Sequence, residues 1–481
     1  MSGFSLHGTE LRDRQRRALS NVELKRKVAT GVDKFANRKS DTLTQIGRSA
    51  EHGEAMTGTP DDLRLAARVM RHRTIQRLPE ILELLADNLL ANGINVHWAN
   101  DGSEANAAIA AIAQRIGAKR VVKGKSMATE ETGLNEALVG IGAEVVETDL
   151  GEWIIQLDHD VPSHIVAPAL HLDRYDIKRI FEEHAGAENI EPTPEVLNAF
   201  ARRELRERFL AADLGISGCN LAIAETGSIL LVENEGNGRM CTTMPRVHIA
   251  VMGMERIVEN WDDANLVLNL LARSASGQPL SSYTNIISRP RGPGDADGPE
   301  EVHVVILDNG RSALLGTEFE EMLNCIRCGA CLNVCPVYRQ TGGHAYGWVY
   351  SGPMGAVLTP LLAGRDNPEA AELADASTLC GACTDACPVG IPLQDLLLAA
   401  RRRRVGDSAS TLERAGWKAW ASAWSHQRTY EMSMKGASVG SGLLGSRVRS
   451  LPGAKLWADG RTIPEPAKMS FRALWEAEEH S

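Results

Sequence analysis

The sequence predicts an α/β layer built on a largely parallel sheet, followed by an all-α segment and a helical tail. Three observations carry that expectation. Short β-branched runs bounded by Gly, Pro, Asn or Asp alternate with helical stretches between residues 66 and 310. Near Gly310 the strand signals stop, and seven of the nine cysteines fall between Cys325 and Cys387. After the basic run Arg401 to Arg404, the tail carries five of the nine tryptophans.

Taken in order, residues 1–65 are polar with scattered apolar positions such as Leu11, Ala18, Leu24 and Val28, and they are expected to form helices on a surface or arm. Leu78, Leu82, Leu85 and Leu89 recur at helical spacing, with Gly93 as the stop. Strands are expected at Ile94 to Trp98, Arg120 to Val122, Ala143 to Thr148, His164 to Ala167, Leu221 to Ile223, Ser228 to Val232, Val247 to Met252 and Val302 to Leu307. Helices separate most of them, for instance Ala105 to Ile116 and Thr193 to Ala212. The domains so defined are 1–65 (helical), 66–310 (α/β), 311–400 (helical, with Asn367 to Leu379 and Leu393 to Arg404 as helices) and 401–481. Trp417, Trp420 and Trp424 share one helix face, expected to dock on the protein's own body.

Composition excludes several classes. A net charge of −10 argues against nucleic acid as the main partner. No apolar run is long enough to span a membrane, and the first thirty residues lack a continuous apolar signal core. A cytoplasmic protein is expected. Nine cysteines in 481 residues are too few for a disulfide scaffold, and in a reducing compartment their clustering reads as metal binding.

The first motif is Cys325-x2-Cys328-x2-Cys331-x3-Cys335-Pro336; the second is Cys380-x2-Cys383-x3-Cys387-Pro388. An iron–sulfur cubane needs thiolates converging on its corners from different directions. The x2 steps wrap one loop around three corners, and the x3 step carries the last cysteine to the other cluster. Cys325, Cys328, Cys331 and Cys387 therefore make up the first ligand set, and Cys335, Cys380 and Cys383 the second. Zinc takes two CxxC pairs, and the third cysteine and the proline argue against it. Two clusters are expected. The second, one thiolate short, is either [3Fe–4S] or a [4Fe–4S] whose fourth corner is held by another ligand. Cys219 and Cys241 are donors distant in sequence, more simply read as buried apolar residues. Arg327 and Arg339 are cations near the motifs.

No G-x-G-x-x-G fingerprint opens the α/β region. Lys123-Gly124-Lys125-Ser126 imitates the end of a P-loop, but Lys119 stands where its first glycine belongs. Polar, glycine-containing segments at Lys123 to Glu131, Glu225 to Gly227 and Glu233 to Arg239 lie at or near strand ends, where open α/β sheets bind ligands. His97, His164, His171 and His248 are read as structural. His344, between the motifs, is a less favoured candidate to touch a cluster.

These residues carry a resemblance. VHWA, VVKGKSMATEE, EVVETDLGEWIIQL, PSHIVAPALH, AETGSILLVENEGNGR, GPEEVHVVILDNGR, CIRCGACLNVCPVYR, GGHAYGWVYSGPMGAVLTP, LCGACTDACPVGIPL and LPGAKLWADGRTIPEPAKMSFRALW resemble, in order, the lactate-utilisation iron–sulfur protein B family. The resemblance implies an α/β domain related to the sugar-isomerase and CoA-transferase-like fold, then a helical dicluster ferredoxin domain. It also implies two [4Fe–4S] clusters with the cysteines divided as above, and oxidation of L-lactate to pyruvate by a complex of three subunits. No catalytic residue is carried over. Clusters of this kind pass electrons singly and take no hydride, so this chain is expected to relay electrons from a partner subunit to an unidentified acceptor. The alternative is that the α/β domain itself binds the 2-hydroxy acid, with Lys123, Lys125 and Arg239 holding its carboxylate.

Overall fold

Alternating apolar residues bury both faces of a central parallel sheet. The computed structural model describes residues 10–51, 59–363, 367–408, 410–444 and 471–479. Its strands are β1 (Asn95–Ala99), β2 (Arg120–Lys123), β3 (Glu144–Glu147), β4 (Leu214–Gly218), β5 (Leu221–Ile223), β6 (Ser228–Glu233), β7 (Val247–Gly253), β8 (Ile257–Val258), β9 (Tyr283–Ile287) and β10 (Glu301–Leu307). Six of them form one all-parallel sheet in the order β1-β10-β7-β4-β2-β3. In β7 and β10 the two faces part cleanly. Ile249, Val251, Val305 and Leu307 pack on the helix Gly102–Arg115. Ala250, Met252, Val304 and Ile306 pack on the helix Leu78–Ala91. Burial on both faces is why these strands read as continuous apolar runs. A smaller mixed sheet, β8-β5-β6-β9, carries the β5–β6 hairpin.

Most expected strands stand within a residue or two of their places. His164 to Ala167 does not: it is irregular, and His164 Nδ1 accepts from the Val166 and Ala167 backbone N–H groups. The central strand β4 was not expected, because LGISG carries two glycines. Gly215 is there because an added Cβ would overlap the Cys241 carbonyl oxygen.

From Ser312 to Arg403 the described residues form α- and 3-10 helices and no strand. The described residues up to Arg403 make one compact unit, and those from Arg404 onward a second. The N-terminal helices lie on the surface with one side packed inward. Leu11, Val28 and Val32 lie in the same apolar cluster as Cys328, Cys331, Cys335, Cys383 and Cys387, and Arg14 Nε donates to the Ala345 carbonyl at 3.2 Å. Residues 1–9 and 52–58 of that segment lie outside the described residues.

In the second unit, the helix Thr411–Trp424 buries none of its residues. Trp417, Trp420 and Trp424 share a face as expected, are exposed within this unit, and contact one another and Tyr430 ring to ring. Residues 451–470, most of the family-like tail motif, lie outside the described residues.

Candidate metal centres and the cavity beside them

Two tight loops position the thiols. In the first, Arg327 (φ 58°) and Gly329 (φ 74°) adopt left-handed backbone, which turns Cys325, Cys328 and Cys331 toward a common point. In the second, Leu379 (φ 55°) and Gly381 (φ 85°) do the same on either side of Cys380. Cys325, Cys328, Cys331 and Cys387 line one small cavity, walled by Met322, Ile326, Met354 and Val389 among other apolar side chains. Cys387 belongs to the second motif, so the structure brings it across to the first. Cys335, Cys380 and Cys383 face one another separately.

The chemistry of these donor sets fits iron–sulfur clusters. No cysteine is in a disulfide. Burial pushes the Cys331 thiol well above its ordinary value, and the neighbouring Cys325, Cys328 and Cys387 push it further. Burial and then Cys335 push Cys383 up to about 11. Such a crowd of thiols ionises only around a cation. Backbone N–H groups already point at the sulfurs: Arg327 to Cys325 at 3.4 Å, Tyr338 to Cys335 at 3.5 Å and Ile391 to Cys387 at 3.4 Å. Cys380 is exposed, and the Ala382 N–H and Thr378 hydroxyl hold its thiol below the usual value.

Neither distant cysteine joins the second set. Cys241 is buried beside Thr148 Oγ1 at 3.2 Å, and Cys219 lies near Arg256; burial pushes both thiols up to about 12. The group that faces Cys335 is instead the buried hydroxyl of Tyr346.

A larger cavity of about 330 Å³ opens at the carboxyl ends of β2, β4, β6 and β7. Its wall runs from Gly124 to Ala128, past Gly218 to Asn220 and Glu233 to Glu235, to Glu255, Arg311, Arg327 and Cys328. Two of the three expected ligand segments line it. The third, Glu225 to Gly227, is the β5–β6 turn and faces Asn88 instead.

Of the three expected carboxylate-binding cations, only Lys125 lines this cavity, 3.2 Å from Glu152. Lys123 is fully buried and held by Glu130 at 2.9 Å and Glu147 at 2.8 Å. Its charge is spent on a structural ion pair. Arg239 has an exposed side chain outside the cavity wall, and its backbone N–H donates to Glu233 Oε1.

Sequence reasoning missed the charged network at the cavity floor. Arg311 donates to both carboxylate oxygens of Glu131 at 2.8 Å, and its Nε lies 2.7 Å from Glu255. Arg327 reaches Glu255 Oε1 at 3.1 Å and covers the Tyr350 ring at 4.9 Å. Burial raises the Glu255 carboxyl, but Arg311, Arg327 and Arg256 more than offset it and hold the group down at about 2. Arg256 donates to the Cys325 carbonyl at 2.9 Å and to the Asn220 carbonyl. The available signal was an Arg or Glu directly after an apolar strand, as in MGMER and ILDNGR. Arg339, by contrast, is a half-exposed partner of Asp33. Of the histidines, His344 does not line the first cavity; its Nε2 donates to the Val161 carbonyl at 2.8 Å.

A parallel α/β domain whose strand ends open onto a cysteine-rich helical domain defines an iron–sulfur electron-transport class. Family models agree: residues 82–307 match the LUD domain, 321–391 the 4Fe-4S dicluster domain, and 401–480 the lactate utilisation protein B C-terminal region. Lactate utilization protein B of Bacillus licheniformis is 47% identical over 95% of this chain and 97% of its own. The Macrococcus caseolyticus protein of the same name is 45% identical over 92% of each chain. An uncharacterized electron transport protein, YkgF of Escherichia coli, is 43% identical over 95% of this chain and 97% of its own. The chain belongs to the lactate utilisation protein B family. A crystal structure of a DUF162 family protein from Deinococcus radiodurans aligns with TM-score 0.27 and 19% identity over 48% of this chain and 98% of its own, too low a score to add to the fold. Among the described residues no helix is long and apolar enough to cross a membrane.

Proposed function

We propose that this chain is the electron-relay subunit of a cytoplasmic, multi-subunit complex that oxidises L-lactate to pyruvate. The observation that carries the reading is the convergence of Cys387 with Cys325, Cys328 and Cys331 around one cavity, separate from Cys335, Cys380 and Cys383. The first set would hold a [4Fe–4S] cluster and the second another, or a [3Fe–4S] cluster. Such clusters supply one-electron transfer. The chain's own residues do the rest. Apolar walls exclude water from the first set, backbone N–H groups offset negative charge on the sulfurs, and Arg327 places a buried cation between Cys325 and the α/β cavity. Exposed Cys380 puts the second set near the surface, where a partner can dock. In this scheme residues 66–310 form the α/β domain, of the sugar-isomerase and CoA-transferase-like type. Residues 311–400 form the dicluster domain, flanked by 1–65 and 401–481.

A second reading is favoured by the 330 Å³ cavity, whose wall includes both Lys125 and Cys328. Here the α/β domain binds the 2-hydroxy acid itself, with Lys125 as the cation for its carboxylate. Kinetics of the assembled complex separate the two. Lys125→Gln raises KM for L-lactate at unchanged iron content if the cavity binds substrate. An unchanged KM leaves the relay. The relay itself is tested by anaerobic reconstitution and electron paramagnetic resonance: L-lactate should reduce the clusters only when partner subunits are present, and reduction of the isolated chain would overturn it.

A further inference from the structure

Away from the cysteines, Asp160, His171 and His344 converge. One carboxylate oxygen and one nitrogen from each ring lie within 4.8 Å of one another. The hydrogen bonds behind them fix how each ring is presented. His171 Nδ1 lies 2.8 Å from Ser163 Oγ, which is also 3.1 Å from the Pro168 carbonyl oxygen, and His171 Nε2 lies 3.0 Å from Asp160 Oδ2. His344 Nε2 donates to the Val161 carbonyl at 2.8 Å, which holds that ring in place.

We propose that Asp160, His171 and His344 form a mononuclear site for a divalent transition ion, separate from the iron–sulfur clusters. Two His and one carboxylate are a recognised donor set for such ions, and outer hydrogen bonds from each imidazole to a carbonyl or hydroxyl are the usual support. The spacing fits as well. Two metal–ligand bonds of about 2.1 Å at a right angle end about 3 Å apart, matching the His171–Asp160 separation. Asp160 lies on the exposed side, which gives the ion an entry path and leaves coordination positions open. The site joins the loop 158–172 to the turn 342–347. That loop also accepts a 2.6 Å hydrogen bond at the Ser163 carbonyl from Tyr338, whose N–H points at Cys335. A bound ion would therefore brace the second cysteine set from behind.

Zinc serves as the probe. The full-length chain with clusters assembled is incubated anaerobically with zinc and gel-filtered, and zinc and iron are measured by elemental analysis alongside the visible spectrum. The parent should retain one zinc per chain. His344→Gln and Asp160→Asn should each bind zinc roughly tenfold or more weakly, with iron content and spectrum unchanged. If His344→Gln loses iron through misfolding, Asp160→Asn, a near-isosteric change at an exposed residue, decides. A parent that retains no zinc overturns the proposal and leaves a His171–Asp160 hydrogen bond. So do variants that retain as much zinc as the parent, which places the zinc elsewhere.

Discussion

Replacing Arg311 with Met tests whether the charged network joins the α/β domain to the dicluster region. Arg311 is buried and sits between Glu131, which also accepts from the dicluster Tyr350 hydroxyl at 2.7 Å, and Glu255, which also holds Arg327. Removing Arg311 deprives Glu131 of both its guanidinium hydrogen bonds and of its buried counter-charge, while Glu255 keeps Arg327 and Arg256. Breaking one partner of a buried pair costs about 3–5 kcal/mol. The double variant Glu131→Gln/Arg311→Met removes one charge of each sign while Gln still reaches Asn309 and Tyr350, and it should recover at least half of that loss. Urea unfolding of the cluster-loaded chain, followed by circular dichroism and cluster absorbance, reads the effect as a midpoint lowered by about 1 M or more. A single variant that costs under about 1 kcal/mol, or a double variant no better than the single, would refute the reasoning.

Other outcomes follow from the same geometry. Gly215→Ala should destabilise by about 1–3 kcal/mol in the same urea assay, because its Cβ meets the Cys241 carbonyl, which is backbone and yields little. His248 is buried in β7 with its ring held neutral: burial, then His303, lower it from 6.5 to about 3. Its depressed value means that stability is intact above the unfolded-state value and is lost as pH falls. Below about pH 6 His248 should contribute a slope approaching about 1.4 kcal/mol per pH unit, so His248→Asn, which keeps a donor for Ser217, should be less steep than the parent by about that amount while His164, also lowered to about 3, still contributes. Tyr346→Phe removes the hydroxyl aimed at Cys335 and should lower the midpoint potential of one cluster with iron content unchanged, measured by redox titration.

How much of this was legible in the sequence depends on which constraint acts locally. The strands β7 and β10 were plain because burial on both faces demands unbroken apolar runs. Strand β4 was hidden, since the close approach of Cys241 requires Gly215 where propensity asks for a β-branched residue. The two cysteine motifs were legible because their spacing is a property of single loops. The fate of the cations was not. Lys123 and Lys125 are two residues apart on a strand end, yet one is enclosed by Glu130 and Glu147 while the other faces the cavity, a choice made by residues on other elements. The Glu131–Arg311–Glu255–Arg327 network joins positions nearly 200 residues apart and exists only in the fold. The Trp417 stripe shows the converse: the helical spacing was right, but spacing says nothing about what covers a face.

The crossing of the two motifs is the central claim, and single Cys→Ser variants at 325, 335 and 383 test it most directly. Each is reconstituted anaerobically, reduced, and compared by electron paramagnetic resonance. Cys335 shares a loop with Cys325 but faces Cys383. Cys335→Ser should therefore lose the same signal as Cys383→Ser and keep the one that Cys325→Ser loses. If Cys335→Ser instead matches Cys325→Ser, the motifs do not cross and the assignment of all seven ligands is wrong.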